Sequence, residues 1–443
     1  MTSLRPKATF GSILKYKHEI CSMPTTKFPA VAAALCTILA AGSLSAKAPI
    51  FMPIKVDGPV HAPEKGSFWY GPFAEGSAVF DLNGDGWLDI TCGRNWYEGP
   101  NWVKHTDYRE NSKTFGEFQD NNGEVAYDVD RDGDTDLIGS GWMGNGIFWY
   151  ENPGRPLEPG EQWVTHKIHD TEWTEGFMVA DVDSDGDRDI ILNHWDPKEG
   201  QFCTWLELQP GPVYIPHHLG TAGDMHGVGL GDVNGDGRND LVTREGWYEA
   251  PADPHSDKWA FHADWNIEEH ASIPILVMDV DQDGLNDLIY GNAHGYGLFW
   301  MQQANNGGKR RFTRHVIDED NGQYHTFALV DLNGDGVDDL VTGKRLRGHN
   351  GEDQSAFDPL FLFWFDIQKG AFIRHPIVYN HLAHYPGAEE RNPVPQMAIG
   401  IGMNINVADV NKDGRMDIVV GGKSGLYILE NRGFPPTQPM VKR

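Results

Sequence analysis

Seven times the chain presents a nine-residue loop of the form Asp-x-Asp/Asn-x-Asp-Gly-x-x-Asp. Side-chain oxygens fall at positions 1, 3, 5 and 9: Asp81, Asn83, Asp85 and Asp89; Asp128, Asp130, Asp132 and Asp136; Asp181, Asp183, Asp185 and Asp189; Asp232, Asn234, Asp236 and Asp240; Asp279, Asp281, Asp283 and Asp287; Asp331, Asn333, Asp335 and Asp339; Asp409, Asn411, Asp413 and Asp417. Short acidic and amide side chains converging from a tight loop suit a hard cation that takes about six to eight oxygens, so the expected ligand is calcium, one ion per loop. The turn preference of Asp, Asn and Gly is the alternative, but intact repetition exceeds what that preference explains. An EF-hand is excluded, because position 12 is Cys92, Gly139, Leu192, Thr243, Tyr290, Thr342 or Val420 and never Glu.

A second set of residues departs from the repeat. Six positions before each acidic loop stand Glu75, Asn122, Glu175, His226, Ile273, His325 and Met403. In a repeated unit these share one geometric level, so two carboxylates and two imidazoles form part of a ring. Five residues after each loop's last Asp come Arg94, Gly141, His194, Glu245, Asn292, Lys344 and Gly422, with Arg244, His294, Arg345 and Lys423 adjacent and His270 upstream of the ring. His226, His325 and Glu175 suit one transition-metal ion. A neutral imidazole among His194, His226, His270 and His325 can act as a base. Arg94, Lys344 and Arg345 can neutralise a substrate carboxylate or a developing enolate. Glu75, Arg244, Glu245, His294, His349 and Tyr385 are expected to contact substrate. A solvated channel mouth without chemistry is the competing reading.

The elements that must position these groups are strands. Alternating apolar runs flank each acidic loop, such as Thr326-Phe-Ala-Leu-Val before and Asp339-Leu-Val-Thr after. Loop starts are spaced 47, 53, 51, 47, 52 and 78 residues apart, which is a repeat array. Each unit adds a third strand with an aromatic pattern, as in Asn95-Trp-Tyr-Glu and Phe148-Trp-Tyr-Glu. A fourth strand carries bulk, two residues, then His: His105, His166, His217, His262, His315 and His375. The last unit lacks a fourth strand, whereas Phe51-Met-Pro-Ile-Lys-Val-Asp has its register with Ile54 in place of His. The expected fold is therefore all-β, a seven-bladed β-propeller over 47–436 with an N-terminal strand closing the last blade, followed by a tail at 437–443. The wide last spacing places insertions from Lys344 to Pro359 and from Tyr379 to Met397 on the face opposite the acidic loops. They read as a wall or lid that brings His349, His381, His384, Tyr385 and Arg391 to the funnel.

On these loops and strands the chain resembles the FG-GAP or VCBS-type repeat family, over roughly 50–435. Its relatives form the propeller head of integrin alpha chains, and the resemblance implies calcium between the first and second strands of a blade. Gly223-Asp-Met-His226 additionally resembles a stretch in the propeller domain of aldos-2-ulose dehydratases, without the cupin segments that accompany such propellers.

The segment from Lys27 to Ala46 has a basic lead, an apolar centre and a small-residue end, as in a secretory signal peptide, with Met23 a possible true start. Residues 1–46 are therefore expected to be removed, leaving a secreted, periplasmic or extracellular protein without a membrane span. Cys92 and Cys203 fall on blades 1 and 3, so no disulfide is expected. The net charge is −28, and seven divalent ions would offset 7 × 2 = 14 of it. The rest excludes nucleic acid as a partner, because phosphate binding needs a basic face.

Two functions fit. One is a carbohydrate-directed, metal-assisted lyase or dehydratase, which needs an electrophile for the enolate and a base for the proton. The other is a non-catalytic propeller for adhesion or for binding a glycan or another cell-surface ligand. Fold alone does not choose between them.

Overall fold

The computed structural model describes residues 48–58, 74–110, 114–115, 118–119, 121–141, 146–171, 174–192, 194, 202–256, 258–267, 270–379 and 399–435. The leader, Tyr385 and most of the second insertion lie outside these residues.

Seven antiparallel four-stranded sheets follow one another along the chain. Blade 1, for example, is Ala78–Phe80, Asp89–Cys92, Asn95–Glu98 and Val103–Thr106, paired in that order. In blade 7 the strands Ile405–Ala408, Asp417–Gly422 and Gly425–Asn431 are completed by Phe51–Asp57 from the other end of the chain. Ile54 lies opposite Ile428, the place where blade 1 pairs His105 with Trp96.

The second strand of every blade is covered on both faces by its neighbours, which is why it reads as an unbroken apolar run. Ile90, Leu137, Ile190, Leu241, Leu288, Leu340 and Ile418 are all fully buried. One apolar cluster fills each blade interface, including the one between blades 7 and 1, where Val419 and Ile428 meet Ile90 and Tyr97. The ring is thus closed by packing as well as by strand pairing, leaving no blade with an open face. Asn404 adds a polar tie: its Nδ2 donates to Ser77 O at 2.6 Å and Glu124 O at 2.7 Å, joining blades 7, 1 and 2.

The recurrent fourth-strand His stacks on the third-strand Trp. Centroid separations are 4.0 Å for Trp96 and His105, 4.2 Å for Trp149 and His166, and 4.3 Å for Trp205 and His217, with the same stack in blades 4, 5 and 6. These histidines, several bonded to a Glu on the third strand, are blade architecture. Cys92 and Cys203 are both free and buried.

Candidate functional sites: acidic rim loops and a histidine-rich funnel

Each acidic loop joins the first and second strands of its blade. The glycine at position 6 sits at positive φ, from 84° at Gly237 and Gly414 to 103° at Gly133, a conformation that costs glycine little. That turn lets the position-1 carboxylate accept backbone N–H groups, as Asp81 does from Asp85 at 3.1 Å and Gly86 at 2.8 Å. In loops 2 and 3 the first, third and ninth residues bring one oxygen each within 4.8 Å of one another.

Position 9 has a task that spacing alone did not reveal. Asp89 accepts Leu82 N at 3.0 Å and Gly99 N at 2.8 Å, stapling the loop to the end of the third strand. Asp136, Asp189, Asp240, Asp287 and Asp417 do the same. Burial pushes these carboxyls up, to about 6 at Asp89, Asp136, Asp287 and Asp417 and to about 7 at Asp189, Asp240 and Asp339. A cation placed among them would favour the charged form. Loops 4 and 7 carry Arg at position 7, and Arg238 and Arg415 engage the position-5 carboxylates Asp236 and Asp413.

On the opposite face the ring positions converge. Glu175 from blade 3, His226 from blade 4, His294 from blade 5 and His325 from blade 6 are all buried, and one donor atom of each lies within 4.8 Å of the others. Nε2 of His226 is 3.2 Å from Nε2 of His325 and 3.5 Å from Nε2 of His294. Glu175 offers Oε1 at 3.4 Å from His325 Nε2 and Oε2 at 3.8 Å from His294 Nε2.

The far sides of two of these rings, His226 and His294, are held. Nδ1 of His226 faces the carbonyl of Ala271, so it carries the proton and Nε2 presents a lone pair. Asp353 receives Nδ1 of His349 on Oδ1 at 2.8 Å and, on Oδ2, Nδ1 of His294 at 3.3 Å and Gln323 Nε2 at 3.2 Å. His349 stacks on His294 at 4.5 Å and directs its own Nε2 to 3.6 Å from Glu175 Oε2. Its side chain is 33 % exposed, while His226, His294 and His325 are covered.

Burial pushes His226 and His325 down to about 3 and His294 to about 4, so these imidazoles are neutral at physiological pH. Burial also lowers His349, but Asp353 and Glu175 outweigh it and lift the ring to about 9. Burial pushes Glu175 up, yet Arg345, whose Nη1 is 2.8 Å from Oε1, dominates and holds the carboxyl well below its usual range. Lys344 is fully buried, its Nζ 3.3 Å from Gln323 Oε1 and 3.4 Å from Arg345 O; burial brings the amine down to about 7.

The donor set fits a transition metal. Three imidazole nitrogens and a carboxylate are a common zinc-type ligand set, and two imidazoles are oriented from behind by Ala271 O and Asp353 in the manner of metal-ligating histidines. Oε2 of Glu175 is buried, with imidazole nitrogens at 3.6 and 3.8 Å but no hydrogen-bond partner among the described residues, and a cation would satisfy it.

Of the residues expected from the sequence, the structure gathers Glu175, His226, His325, His294, His349 and Arg345, with His270 flanking at 5.1 Å from His294 and 6.0 Å from His226 between ring centroids. Glu75 is buried at the ring level and tied through its carbonyl to Met403 N. Others find different partners: His194 lies 3.0 Å from Asp224, Arg94 pairs with Asp107, and Arg244 donates to Glu245 at 2.6 Å. Asp353 and Gln323 were not singled out in the sequence. Neither holds a repeat-register position that marks it as part of the site, although the His349/Asp353 spacing of four offered a clue. The buried pair of Arg109 and Glu124 was likewise hidden; Glu124 also accepts Thr91 Oγ1 at 2.6 Å and Gly93 N at 2.8 Å.

Fold and loops define a repeat propeller with an acidic corner in every blade. Residues 128–192 and 279–342 match the FG-GAP-like repeat, two stretches of a chain that folds as a seven-bladed β-propeller. No curated protein matches it. Among solved structures it is similar to the V. cholerae biofilm matrix protein Bap1, at 10 % identity over 88 % of this chain and 92 % of that one, with a TM-score of 0.45. It is also similar to a putative phosphatase from Bacteroides thetaiotaomicron VPI-5482, at 10 % identity over 78 % and 84 %, with a TM-score of 0.41. At that distance neither likeness bears on function. Among the described residues no helix is long and apolar enough to cross a membrane.

Proposed function

We propose that this protein is a secreted, calcium-stabilised propeller whose funnel holds one transition-metal ion and performs a metal-assisted elimination on a carbohydrate, as a carbon–oxygen lyase. The observation that carries this reading is the convergence of Nε2 of His226, His294 and His325 with the Glu175 carboxylate. A divalent ion in such a set supplies Lewis acidity toward a substrate oxygen.

The chain's own groups divide the remaining work. His349 is the solvent-facing imidazole, and because Asp353 occupies its Nδ1 and the ring is held protonated, it serves as the acid that gives its Nε2 proton to the leaving oxygen. In the elimination a C–H proton passes to a base, its electron pair forms the C=C bond, and the C–O bond breaks as the leaving oxygen takes a proton. Arg345 places positive charge beside the centre, where charge develops on the substrate.

The test is incubation of the full chain with oxidised sugars and uronate oligomers, following ultraviolet absorption of an unsaturated product alongside elemental analysis. Product formed by the wild type and lost in His349→Ala, with metal content unchanged, supports the reading. Metal-replete protein that turns over no substrate but retains a glycan favours the binding function.

A further inference from the structure

Arg345 follows the second strand of blade 6, Asp339–Lys344, and its backbone is pinned by a parallel bridge to Ile401. From there the side chain reaches the middle of the ring, because Nη1 touches Glu175 Oε1 of blade 3 at 2.8 Å and Met403 Sδ beside blade 7 at 3.2 Å. That contact uses one corner of the guanidinium. Nε–H and one Nη2–H point from a different edge, the edge that pairs side-on with both oxygens of a carboxylate.

Both nitrogens of that edge are buried and have no hydrogen-bond partner among the described residues, and the residue is only 3 % exposed. Two unmatched donors on a buried cation are costly, and a planar acceptor with two oxygens removes both defects together. Oε1 of Glu75 on blade 1 is a buried acceptor that also lacks a partner among the described residues. Burial pulls the Arg345 guanidinium down, and Glu175, Glu75 and Asp353 more than offset it, which places Glu75 within electrostatic reach of the same group.

We infer that the funnel takes a hydroxy acid of the uronate type, with the substrate carboxylate on the Nε/Nη2 edge of Arg345 and a substrate hydroxyl donating to Glu75 Oε1. The inference rests on the lyase reading of this site and narrows its substrate from carbohydrates in general to acidic ones. It also gives Arg345 a defined task. When the proton α to the carboxylate leaves, the developing charge moves onto the oxygens that the guanidinium holds.

A carboxylate suits the site better than a phosphate on charge grounds. Glu75, Glu175 and Asp353 all act electrostatically on Arg345, so a dianion meets more repulsion than a monoanion with a flat, two-oxygen face. A chain of net charge −28 also disfavours a long polyanion, which points to a short or terminal acidic sugar.

The test is calorimetric titration of the full-length protein with D-glucuronate, D-galacturonate and glycolate. Each is compared with its methyl ester and, for the sugars, with the 6-phosphate of the parent hexose; the metal content of every sample is measured. At least one free acid should bind more than about tenfold more tightly than its ester and than the phosphate, since charge-assisted paired hydrogen bonds are lost in the ester. Arg345→Met should abolish that preference while the ion is retained, and Arg345→Lys, which keeps charge without the paired edge, should restore only part of it. Equal binding of acid and ester across the wild-type panel overturns the inference, as does a preference for phosphate or an acid preference that survives in Arg345→Met. An Arg345-dependent acid preference in protein that binds no transition metal keeps the subsite and sinks the lyase reading. Bound metal with no acid preference does the reverse.

Discussion

Nε2 of His226 stands 3.2 Å from Nε2 of His325, and on His226 that nitrogen is the acceptor because Nδ1 is committed to Ala271 O. Two imidazoles brought edge to edge in a buried site must share a proton or a cation. His294 and Glu175 bring their donor atoms to the same point, and these four residues would hold the proposed metal ion.

Asp353 then acts as a positioning residue, because it fixes the Nδ1 side of both His294 and His349. Asp353→Asn should leave one transition-metal ion per chain while weakening its affinity about 10- to 100-fold. Competition with a colorimetric chelator measures this, and an unchanged affinity would remove Asp353 from the support of the centre.

Calcium should stabilise the protein more at pH 7.5 than at pH 5.5. In the ion-free fold the ninth-position carboxyls lie near 6 or 7, above their ordinary value of 3.8. Between those values the folded chain binds more protons than the unfolded one, so their contribution to stability falls as pH rises. Calcium acts on the ionised form, so the gain in melting temperature on adding it should grow across that window. A gain that is flat or shrinks with rising pH contradicts calcium binding by these groups.

Arg109→Met should cost about 3–5 kcal/mol, because it strands the buried Glu124 carboxylate without its cation. Chemical denaturation reads the loss. A change under about 1 kcal/mol would mean that Thr91, Asn121 and Gly93 suffice to hold Glu124.

Removal of residues 1–57 should open the ring. Phe51–Asp57 covers the outer edge of Gly425–Asn431, and Asp57 binds Tyr97 Oη at 2.5 Å and Lys104 Nζ at 2.6 Å. An uncovered edge of that length invites pairing between chains. Light scattering should therefore show self-association, whereas a stable monodisperse monomer would show that strand closure is dispensable.

Blade number and closure were legible in the sequence because they recur: seven loops, six His signatures and one displaced strand. Glu175, His226 and His325 were legible for the same reason, since they occupy one register and depart from it in residue type. His294 and His349 were expected among the substrate contacts, and only their three-dimensional placement sets them against Glu175 at 3.8 and 3.6 Å. Asp353 was hard to read because it lies in an insertion, where no repeat supplies a register and only its spacing of four from His349 marks it. The stapling by Asp89 and its equivalents was hidden by the acidic motif itself, which reads every Asp as a ligand whether or not its oxygens also hold backbone N–H groups.

The most direct test is elemental analysis and cobalt spectroscopy of the full chain after exhaustive treatment with a calcium-selective chelator. One transition-metal ion per chain should remain, with tetrahedral cobalt absorption on substitution, and both should be lost in His226→Ala and His325→Ala. No ion beyond calcium, or an ion retained unchanged in both variants, would contradict a metal centre at the mouth of the propeller.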